Sequence, residues 1–550
     1  MKKLIIVMIL SCLFVLSAQE ALLSTNENYY DFLALDGYTD RPYLNYRTLS
    51  DSKWAIKDAT EDIWNGNILG STRKITDSIN FRIYGPEIFN SINSAAPYGQ
   101  NDGALWQGRG LNTSLTAGAR LEAYGIELTV KPDLVYSQNL PFDTVKSAYS
   151  GEVYSGKADT YGYYGVQYID APQRFGDRQI FDFSWGDSEI RYTWKNLTAG
   201  FGTQSIWLGP AKINAIMLSN NAAPFPKADI GLRKTSITIP NLGWYLGDIE
   251  ARLFCGYLSE SDYFDNDTSN DPNMFSGLSI AYSPPVFTGL TLFANRTYLA
   301  KWNDKNSIKT IPALLFINVN GNGGQDDWDQ RASFGAEYAL PKAGIDIYGE
   351  LGLNDYGMGI DGYIRYPFHS MVYTVGTRKS VALPLTNIRG ELTFEWTNLE
   401  MSQDFQFQWP STFYAHGQIT QGYTNKGQWL GAGNGTGGNS QYLGFKVYYQ
   451  KGNVNLYIHR QNIDNDFIYS RSINSALYNT GIISSEADLI SMKAVVSGGI
   501  TSDYFITSNL HINGGLVLSV EHNPLYDPIT WNKTSKRNNY RVELSLAYQL

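Results

Sequence analysis

Short runs of alternating apolar and polar residues recur along most of this chain. In one run Ile126, Leu128 and Val130 alternate with Glu127 and Thr129. Successive side chains of a β-strand point to opposite faces, so each run predicts a strand with one apolar and one polar face. Further runs occupy residues 189–195, 345–348, 391–397, 443–450 and 454–459.

The polar faces of these runs carry full charges, and aromatic residues lie at the ends of several runs. Glu189 and Arg191 share one polar face, and Trp244 and Tyr245 are adjacent at a strand end. A polar lumen accommodates such charges, and girdles of aromatic residues mark the two interfaces of a membrane barrel. The pattern predicts an all-β protein, a transmembrane antiparallel β-barrel.

The chain also finishes on a strand, because apolar and polar residues alternate from Arg541 to Leu550. Outer-membrane barrels commonly end this way, usually on an aromatic residue, whereas here the last residue is leucine. Roughly 29 residues for each strand with its loop divide about 530 mature residues into about 18 strands, with 16 as the next choice, since bacterial barrels use even numbers.

The N-terminus has the pattern of a secretion signal. Lys2 and Lys3 precede a mostly apolar run over residues 4–18. That run has the length of a signal h-region and is shorter than the roughly 20 residues of a spanning helix. Residues 1–19 are therefore predicted to be a signal peptide. Cys12 lies in a stretch that loosely resembles a lipoprotein box, but the apolar run continues past it, which favours an ordinary signal.

The residues that follow are predicted to form a small N-terminal periplasmic and helical segment, residues 20–75, before the barrel of residues 76–550. Asp51 or Ser52 is placed to cap a helix over residues 54–59.

Composition and charge narrow the class of protein. Charged residues make up 17% and aromatic residues 14%, against about 25% charged in a soluble protein. The mean hydropathy of −0.27 excludes a helical membrane protein. The formal net charge of −9 argues against a nucleic-acid partner. Once the signal is removed, Cys255 is the only cysteine, so no intrachain disulfide is expected.

Residues 84–110, rich in glycine, asparagine and aromatic residues, lead directly into alternating residues. They resemble a segment near the start of the barrel in capsule-assembly outer-membrane proteins of the Wzi type. Other blocks resemble the same family in the same order. These are the turn at residues 169–177, the Gly-Pro block at 207–210, the Ser-Asn-Asn-Ala block at 218–226, and residues 329–333, 348–355 and 421–428.

The resemblance implies an 18-stranded outer-membrane barrel that is closed internally and has a small periplasmic helical part. It also implies a lectin-like role at the surface of a bacterium with two membranes, where the protein anchors or organises capsular polysaccharide. The implied partners are surface polysaccharide, outer-membrane lipid and other components of capsule export. No cofactor is implied.

Glycan binding requires aromatic faces for the C–H surfaces of sugars and amide or carboxylate groups for their hydroxyls. Two loop regions offer this chemistry, and the alternative is that these side chains only hold turns and girdles in place. The candidates are Tyr98, Gln100, Asn101, Asp102, Trp106, Gln107, Tyr423, Gln428 and Trp429.

Ser219, Asn220 and Asn221 lie just before Pro224 and Pro226, in a segment unsuited to a regular strand. They are predicted to belong to a loop that folds inward and helps to close the lumen. An ordinary turn is the alternative.

No metal site or catalytic site is predicted. Residues 318–329 imitate the spacing of a calcium loop but carry Asn where Asp is needed, and Asp265, Asp267 and Asp271 lack the diagnostic glycine, so solvated loops are favoured. The five histidines fit no metal-binding motif. His459 has Ser470 and Ser472 nearby in sequence, so a hydrolase of the barrel wall stays open as an alternative.

Three functions therefore compete. The first is a Wzi-like binder of surface polysaccharide. The second is a porin-like channel for small solutes, with the same fold but an open lumen, and channel conductance distinguishes it. The third is a barrel adhesin or esterase, which activity on acyl esters would reveal.

Overall fold

The structure, a computed structural model, describes most of the predicted barrel and part of the N-terminal segment. The described residues are 24–64, 72–144, 169–265, 267–315, 328–354, 364–365, 370–385, 387–400, 413–466, 493–525 and 535–549. The predicted signal peptide, Leu550, His369, Ser470, Ser472 and most of residues 318–329 lie outside these ranges.

Strands dominate the described residues, and we number strands and helices in chain order. The helices are α1 (Thr25–Leu35) and α2 (Thr310–Ala313), with short 3-10 helices at Leu49–Asp51, Ala59–Glu61, Ser307–Lys309 and Pro341–Ala343. The strands are β1 (Tyr46–Arg47), β2 (Arg73–Thr76), β3 (Ile79–Asn93), β4 (Gly110–Ala123), β5 (Ile126–Val130), β6 (Asp133–Ser137), β7 (Ile180–Ser184), β8 (Glu189–Trp194), β9 (Leu197–Gly202), β10 (Trp207–Leu208), β11 (Lys227–Thr238), β12 (Tyr245–Ser259), β13 (Pro272–Ser283), β14 (Leu290–Lys301), β15 (Trp328–Leu340), β16 (Ile345–Asn354), β17 (Met371–Ala382), β18 (Arg389–Asn398), β19 (Thr424–Asn425), β20 (Gln428–Trp429), β21 (Asn439–Tyr449), β22 (Gly452–Asn462), β23 (Ala494–Thr507), β24 (Leu510–His522) and β25 (Lys536–Tyr548).

The strands close into one antiparallel barrel. Strands β5 and β6 both pair with β4 and form one barrel strand, β7 and β8 form the next, and β2 is a short hairpin arm on β3. The barrel closes where β25 pairs with β3, with Val542 opposite Ile92. Within the described residues this makes 18 barrel strands, which confirms the predicted fold and the preferred strand number.

The two faces of the wall are the predicted ones. Ile126 and Leu128 are 50% and 41% exposed on the outside, whereas Glu127 between them is 4% exposed and faces the interior. On the last strand Val542 is 54% exposed and Arg541 7%. Because the side-chain period is two, every charged position of the polar face enters the barrel. The interior must therefore supply partners for these charges.

The two ends of the barrel differ. Tight turns close one end, for example at residues 124–125, where Tyr124 and Gly125 both have positive φ as hairpin turns require. Long connections, such as residues 94–109, 203–226 and 399–438, lie at the other end. We call these the short-turn end and the long-loop end.

Helix α1 lies inside the barrel at the short-turn end. It begins where the Ser24 hydroxyl accepts a hydrogen bond from the Glu27 backbone N–H at 3.2 Å, a normal N-cap. Its apolar side packs Phe32 on Tyr448 of the wall, with ring centroids 4.3 Å apart. Trp64 closes this cluster and stacks on Tyr29 at 3.8 Å. None of the described helices combines the length and apolar character needed to cross a bilayer.

The predicted helix over residues 54–59 is wrong. Helical structure begins earlier, in α1, and the Asp51 carboxylate caps nothing at residue 54. Asp51 instead accepts hydrogen bonds from Arg233 at 2.6 Å and Arg252 at 2.9 Å, both on the wall. Trp54 stacks at 6.0 Å on Tyr30. These long-range contacts outweigh the local capping signal.

Buried ion pairs anchor the N-terminal segment to the wall. The Asp31 carboxylate lies 2.7 Å from both Arg41 and Arg378 and 2.9 Å from Lys212. Arg41 reaches on to Glu337 and Asp346, each at 2.6 Å. Burial alone would raise the pKa of Asp31, but the surrounding cations outweigh it and hold that pKa well below its usual range. The carboxylate therefore stays ionised, and its contribution persists until the pH falls through this lowered pKa.

The substitution Asp31→Asn is expected to loosen α1, because it leaves buried cations without their counter-charge. Removing one partner of a buried ion pair costs about 3–5 kcal/mol. Hydrogen exchange measured by mass spectrometry should show faster exchange over Thr25–Leu35. The control is Asp40→Asn, since Asp40 is 72% exposed and pairs with the exposed Lys57. Equal exchange in both variants would contradict the anchoring role.

Candidate functional site

The loops of the long-loop end fold inward and enclose a cavity of about 270 Å³. Its lining residues come from six connections between barrel strands, or from the strand ends beside them, and these are far apart in sequence. Eight of the nine predicted glycan-contact residues line it, together with one residue of the predicted lumen-closing block. These are Tyr98, Gln100, Asn101, Asp102, Trp106, Gln107, Gln428, Trp429 and Asn221.

Amide groups hold the first wall, residues 94–109, against the segment inside the barrel. The Gln100 side chain donates to the Asn214 side-chain oxygen at 2.6 Å and to the Ile213 carbonyl at 3.1 Å. The Asn101 backbone N–H donates to the Asn221 side-chain oxygen at 2.7 Å. Gln100 and Asn101 were predicted to contact a sugar. In the structure these hydrogen bonds hold the loop in place.

A short polar chain crosses the same wall. The Gln107 amide donates to the Asp102 carboxylate at 3.0 Å, and its oxygen accepts from the Ser91 hydroxyl at 2.5 Å. Burial raises the pKa of Asp102 to about 6, although the Arg541 guanidinium opposes this shift. Asp102 therefore gains a proton in mildly acidic solution.

Aromatic rings form the apolar parts of the cavity. Trp106 packs edge-on against Phe175, with ring centroids 4.8 Å apart. Trp429 lies on the opposite connection, 5.8 Å from Tyr414. Both tryptophans are only partly buried and line the cavity. They offer ring surface of the kind that packs on the C–H face of a sugar.

Three polar atoms of the cavity residues are buried and have no hydrogen-bond partner among the described residues. They are the Trp106 Nε1 donor and the Oδ1 acceptors of Asn101 and Asn434. An unsatisfied buried polar atom costs about 1–3 kcal/mol. The residues that carry these atoms line the cavity, but the atoms themselves are turned away from its open space.

Tyr423, the ninth candidate, lies outside the cavity and is 0% exposed. Its ring stacks on Tyr414 at 5.4 Å, and the Arg331 guanidinium lies 4.5 Å from its centroid. Its hydroxyl is 3.2 Å from the Thr297 hydroxyl. The structure places Tyr423 in the apolar core of the interior.

Residues 203–226 run inside the barrel, and the predicted block lies on them. The Ser219 N–H donates to the Leu430 carbonyl at 2.8 Å, the Asn220 amide donates to the Asn101 carbonyl at 3.3 Å, and the Asn221 amide donates to the Gly431 carbonyl at 2.8 Å. The block therefore joins two walls of the cavity.

The same segment reaches the far side of the barrel. It starts between β9 and β11, yet the Glu395 carboxylate on β18 accepts the backbone N–H groups of Lys212 at 2.6 Å and Asn214 at 2.7 Å. In the strand order β18 lies across the barrel from β9. Residues 203–226 consequently span the interior.

Charged residues at the rim of the cavity were not predicted from the sequence. Arg537 pairs with Glu521 at 2.6 Å, and Lys493 lies 3.7 Å from the same carboxylate. The Arg537 guanidinium also lies 5.6 Å from the Phe142 ring. These residues flank three different connections, so no sequence motif unites them. The sequence offered only one signal for Asn434 as a cavity residue, which is its place in a loop rich in glycine and asparagine.

Two of the three acidic residues weighed as a calcium loop, Asp265 and Asp271, lie close to Glu260. Oxygens of Glu260, Asp265 and Asp271 lie within 4.8 Å of one another, and this is the one such group in the described ranges. Burial, with Asp170 and Asp265 nearby, raises the pKa of Glu260 to about 10. Asp267 instead accepts hydrogen bonds from Ser269. Without a bound cation, Glu260 therefore keeps its proton at neutral pH.

His459 has a serine partner, but the pair is closed off. Its Nε2 lies 2.7 Å from the Ser440 hydroxyl, and the two residues are 4% and 1% exposed. A substrate has no access to such a pair.

The chain matches one protein family in sequence, and its fold matches a solved structure. The model of the family described as capsule assembly protein Wzi matches residues 97–503, more than half of the chain. No curated protein sequence matches the chain.

The chain is similar to two solved structures. The first is described as Wzi, an outer membrane protein involved in group 1 capsule assembly in Escherichia coli and a carbohydrate-binding β-barrel. It covers 97% of this chain and 100% of its own, with a TM-score of 0.60 and 12% identity, which supports the fold alone. OprB of Pseudomonas putida covers 86% of this chain and 94% of its own, with a TM-score of only 0.36 and 10% identity.

The substitution Asp102→Asn is expected to change how stability depends on pH. Because the folded protein holds the Asp102 proton more tightly than the unfolded chain does, this residue makes folding less favourable as the pH rises from about 4 to about 6. Asparagine cannot ionise but still accepts from Gln107. Over that range the melting temperature of the wild type should fall relative to that of the variant. Parallel curves would contradict the raised pKa, and Asp143→Asn, an exposed carboxylate of the same cavity, is the control.

Proposed function

This chain belongs to the capsule assembly protein Wzi family, and we propose that it binds capsular or surface polysaccharide in the cavity of its long-loop end. As a member of this family it is an outer-membrane β-barrel. In this proposal it acts as a lectin-like anchor that supports capsule assembly and catalyses no reaction.

The observation that carries the proposal is a single cavity that aromatic, amide and carboxylate side chains line together. Gln428 and Asp102 are among its polar lining residues, so amide and carboxylate groups are available to sugar hydroxyls. Trp106 and Trp429 supply ring faces beside them. Sugars combine hydroxyls and C–H faces in this way, so a sugar satisfies both parts of the site.

The orientation of the barrel is consistent with this role. Outer-membrane barrels have short periplasmic turns and longer extracellular loops. With this orientation the cavity opens at the cell surface, where polysaccharide lies. The predicted N-terminal segment, residues 20–75, then occupies the periplasmic side.

The segments inside the barrel also support a binder over the porin-like alternative. The N-terminal segment lies within the short-turn end, and residues 203–226 span the interior, held by Glu395. Ser219, Asn220 and Asn221 join that segment to the loops on both sides. In this proposal these contacts keep small solutes from passing.

Loss of the aromatic faces is expected to weaken polysaccharide binding. Trp106→Ala and Trp429→Ala should each reduce the affinity of detergent-solubilised protein for polysaccharide extracted from the producing cells by at least about tenfold. In cells, both should reduce capsule retention. The control is Trp244→Ala, since Trp244 is 64% exposed and lies at the short-turn end. Unchanged binding in both variants would overturn the assignment of the cavity.

Planar-bilayer recording tests closure of the lumen. The wild type should be silent, and replacing Ser219, Asn220 and Asn221 together by glycine should produce channel openings, because these side chains tie the spanning segment to its neighbours. Asn241→Gly, in a short turn where φ is already +72°, is the control. A steadily conducting wild type would favour the porin alternative, and a silent triple variant would contradict the role of the block.

A further inference from the structure

A flap of chain lies against the outside of the barrel at the long-loop end. This flap, residues 302–315, follows β14 and contains α2. The Ser276 hydroxyl on β13 donates to the Thr310 hydroxyl at 2.9 Å, and Arg296 on β14 donates to the Ala313 carbonyl at 3.0 Å. Both wall residues occupy outward positions of their strands.

The outward direction follows from the alternation along each strand. Ile280, four residues beyond Ser276, is 42% exposed on the outer face, and Leu292, four residues before Arg296, is 44% exposed. Positions that differ by an even number on a strand share a face. Ser276 and Arg296 therefore face outward, and the flap contacts the outer surface.

The flap covers outward positions that would otherwise be exposed. Ser276 is 0% exposed, Met274 6%, Tyr298 7% and Ala300 0%. These values contrast with those of outward residues nearer the short-turn end of the same strands. The flap is therefore docked on the wall.

The outer surface of the flap is apolar. Trp302, Ile308 and Leu315 are 46%, 61% and 65% exposed. Trp302 packs edge-on against the outward Tyr257 at 4.9 Å. In membrane barrels such aromatic residues occur where the apolar band meets the headgroups. The flap continues the lipid-facing surface at this level.

Two lysines accompany this apolar surface. Lys305 and Lys309 are exposed, and neither forms an ion pair within the described part of the chain. Lys309 donates to the Asn306 side-chain oxygen at 2.8 Å. The acid of the flap, Asp304, accepts the Asn306 backbone N–H at 2.8 Å. The flap therefore has an excess of positive charge on a chain whose formal net charge is −9.

We propose that this flap binds anionic lipid of the outer leaflet, with its apolar side chains among the upper acyl carbons and its lysines on the negatively charged headgroups. Apolar residues beside lysines are typical of segments that lie in a membrane interface. Lipid is the occupant because the flap is continuous with the lipid-facing band of the barrel. This binding goes beyond the polysaccharide site and is independent of it.

Local fluorescence quenching tests the proposal. The variant Ile308→Cys, made in a Cys255→Ser background, is labelled with a fluorophore at position 308. The labelled protein is reconstituted into vesicles of phosphatidylcholine and phosphatidylglycerol. One lipid at a time is brominated near its headgroup. The label should be quenched by both lipids, and more strongly by brominated phosphatidylglycerol at equal mole fraction. A label at Thr268→Cys, exposed on a rim loop of the same end, should stay unquenched.

The double substitution Lys305→Gln with Lys309→Gln should abolish the preference for phosphatidylglycerol and leave quenching by phosphatidylcholine intact. Each lysine near an anionic membrane surface strengthens binding to that surface by about fivefold. The matched control is Lys342→Gln with Lys451→Gln, two exposed lysines of the short-turn end. No quenching at position 308 by either lipid would overturn the proposal. Equal quenching of the wild type by both lipids would overturn its headgroup part.

Discussion

The charged inner face of the barrel wall is the constraint on which the rest of the structure depends. A barrel in lipid must turn its apolar residues outward, so the alternation of each strand turns ionised groups inward. Such groups are unfavourable away from water unless they are paired and hydrogen-bonded. Asp31, Arg41 and Asp51 of the N-terminal segment supply those partners, which explains why this segment lies within the barrel.

Filling the interior also builds the floor of the candidate site. Strand β1 of the N-terminal segment pairs with β10 of the spanning segment, with Tyr46 opposite Leu208. The long loops pack on this floor through amide hydrogen bonds such as that between Gln100 and Asn214. In the proposed function, closure of the lumen and polysaccharide binding consequently share residues. The rings of Trp106 and Trp429 line the cavity that this packing leaves.

The same physics accounts for the prediction that failed. A capping signal at Asp51 acts over three or four residues, whereas the arginines that take its carboxylate are about 180 and 200 residues away in sequence. A charge on the wall attracts it more strongly than a backbone N–H does. The outer flap escaped prediction for a similar reason, since only the assembled wall offers Ser276 and Arg296 as its partners.

The sequence by itself determined the barrel and the identity of its inner and outer faces, because these depend on a period of two that each strand carries locally. The preferred number of 18 strands came from the chain length and the family resemblance, and the structure confirms it. The sequence also located the loops that hold most of the cavity residues. Only the tertiary structure decided that Tyr423 is buried, that Lys493, Glu521 and Arg537 meet at one rim, and that residues 203–226 span the interior. Those outcomes depend on contacts between strands far apart in the chain, which no local pattern specifies.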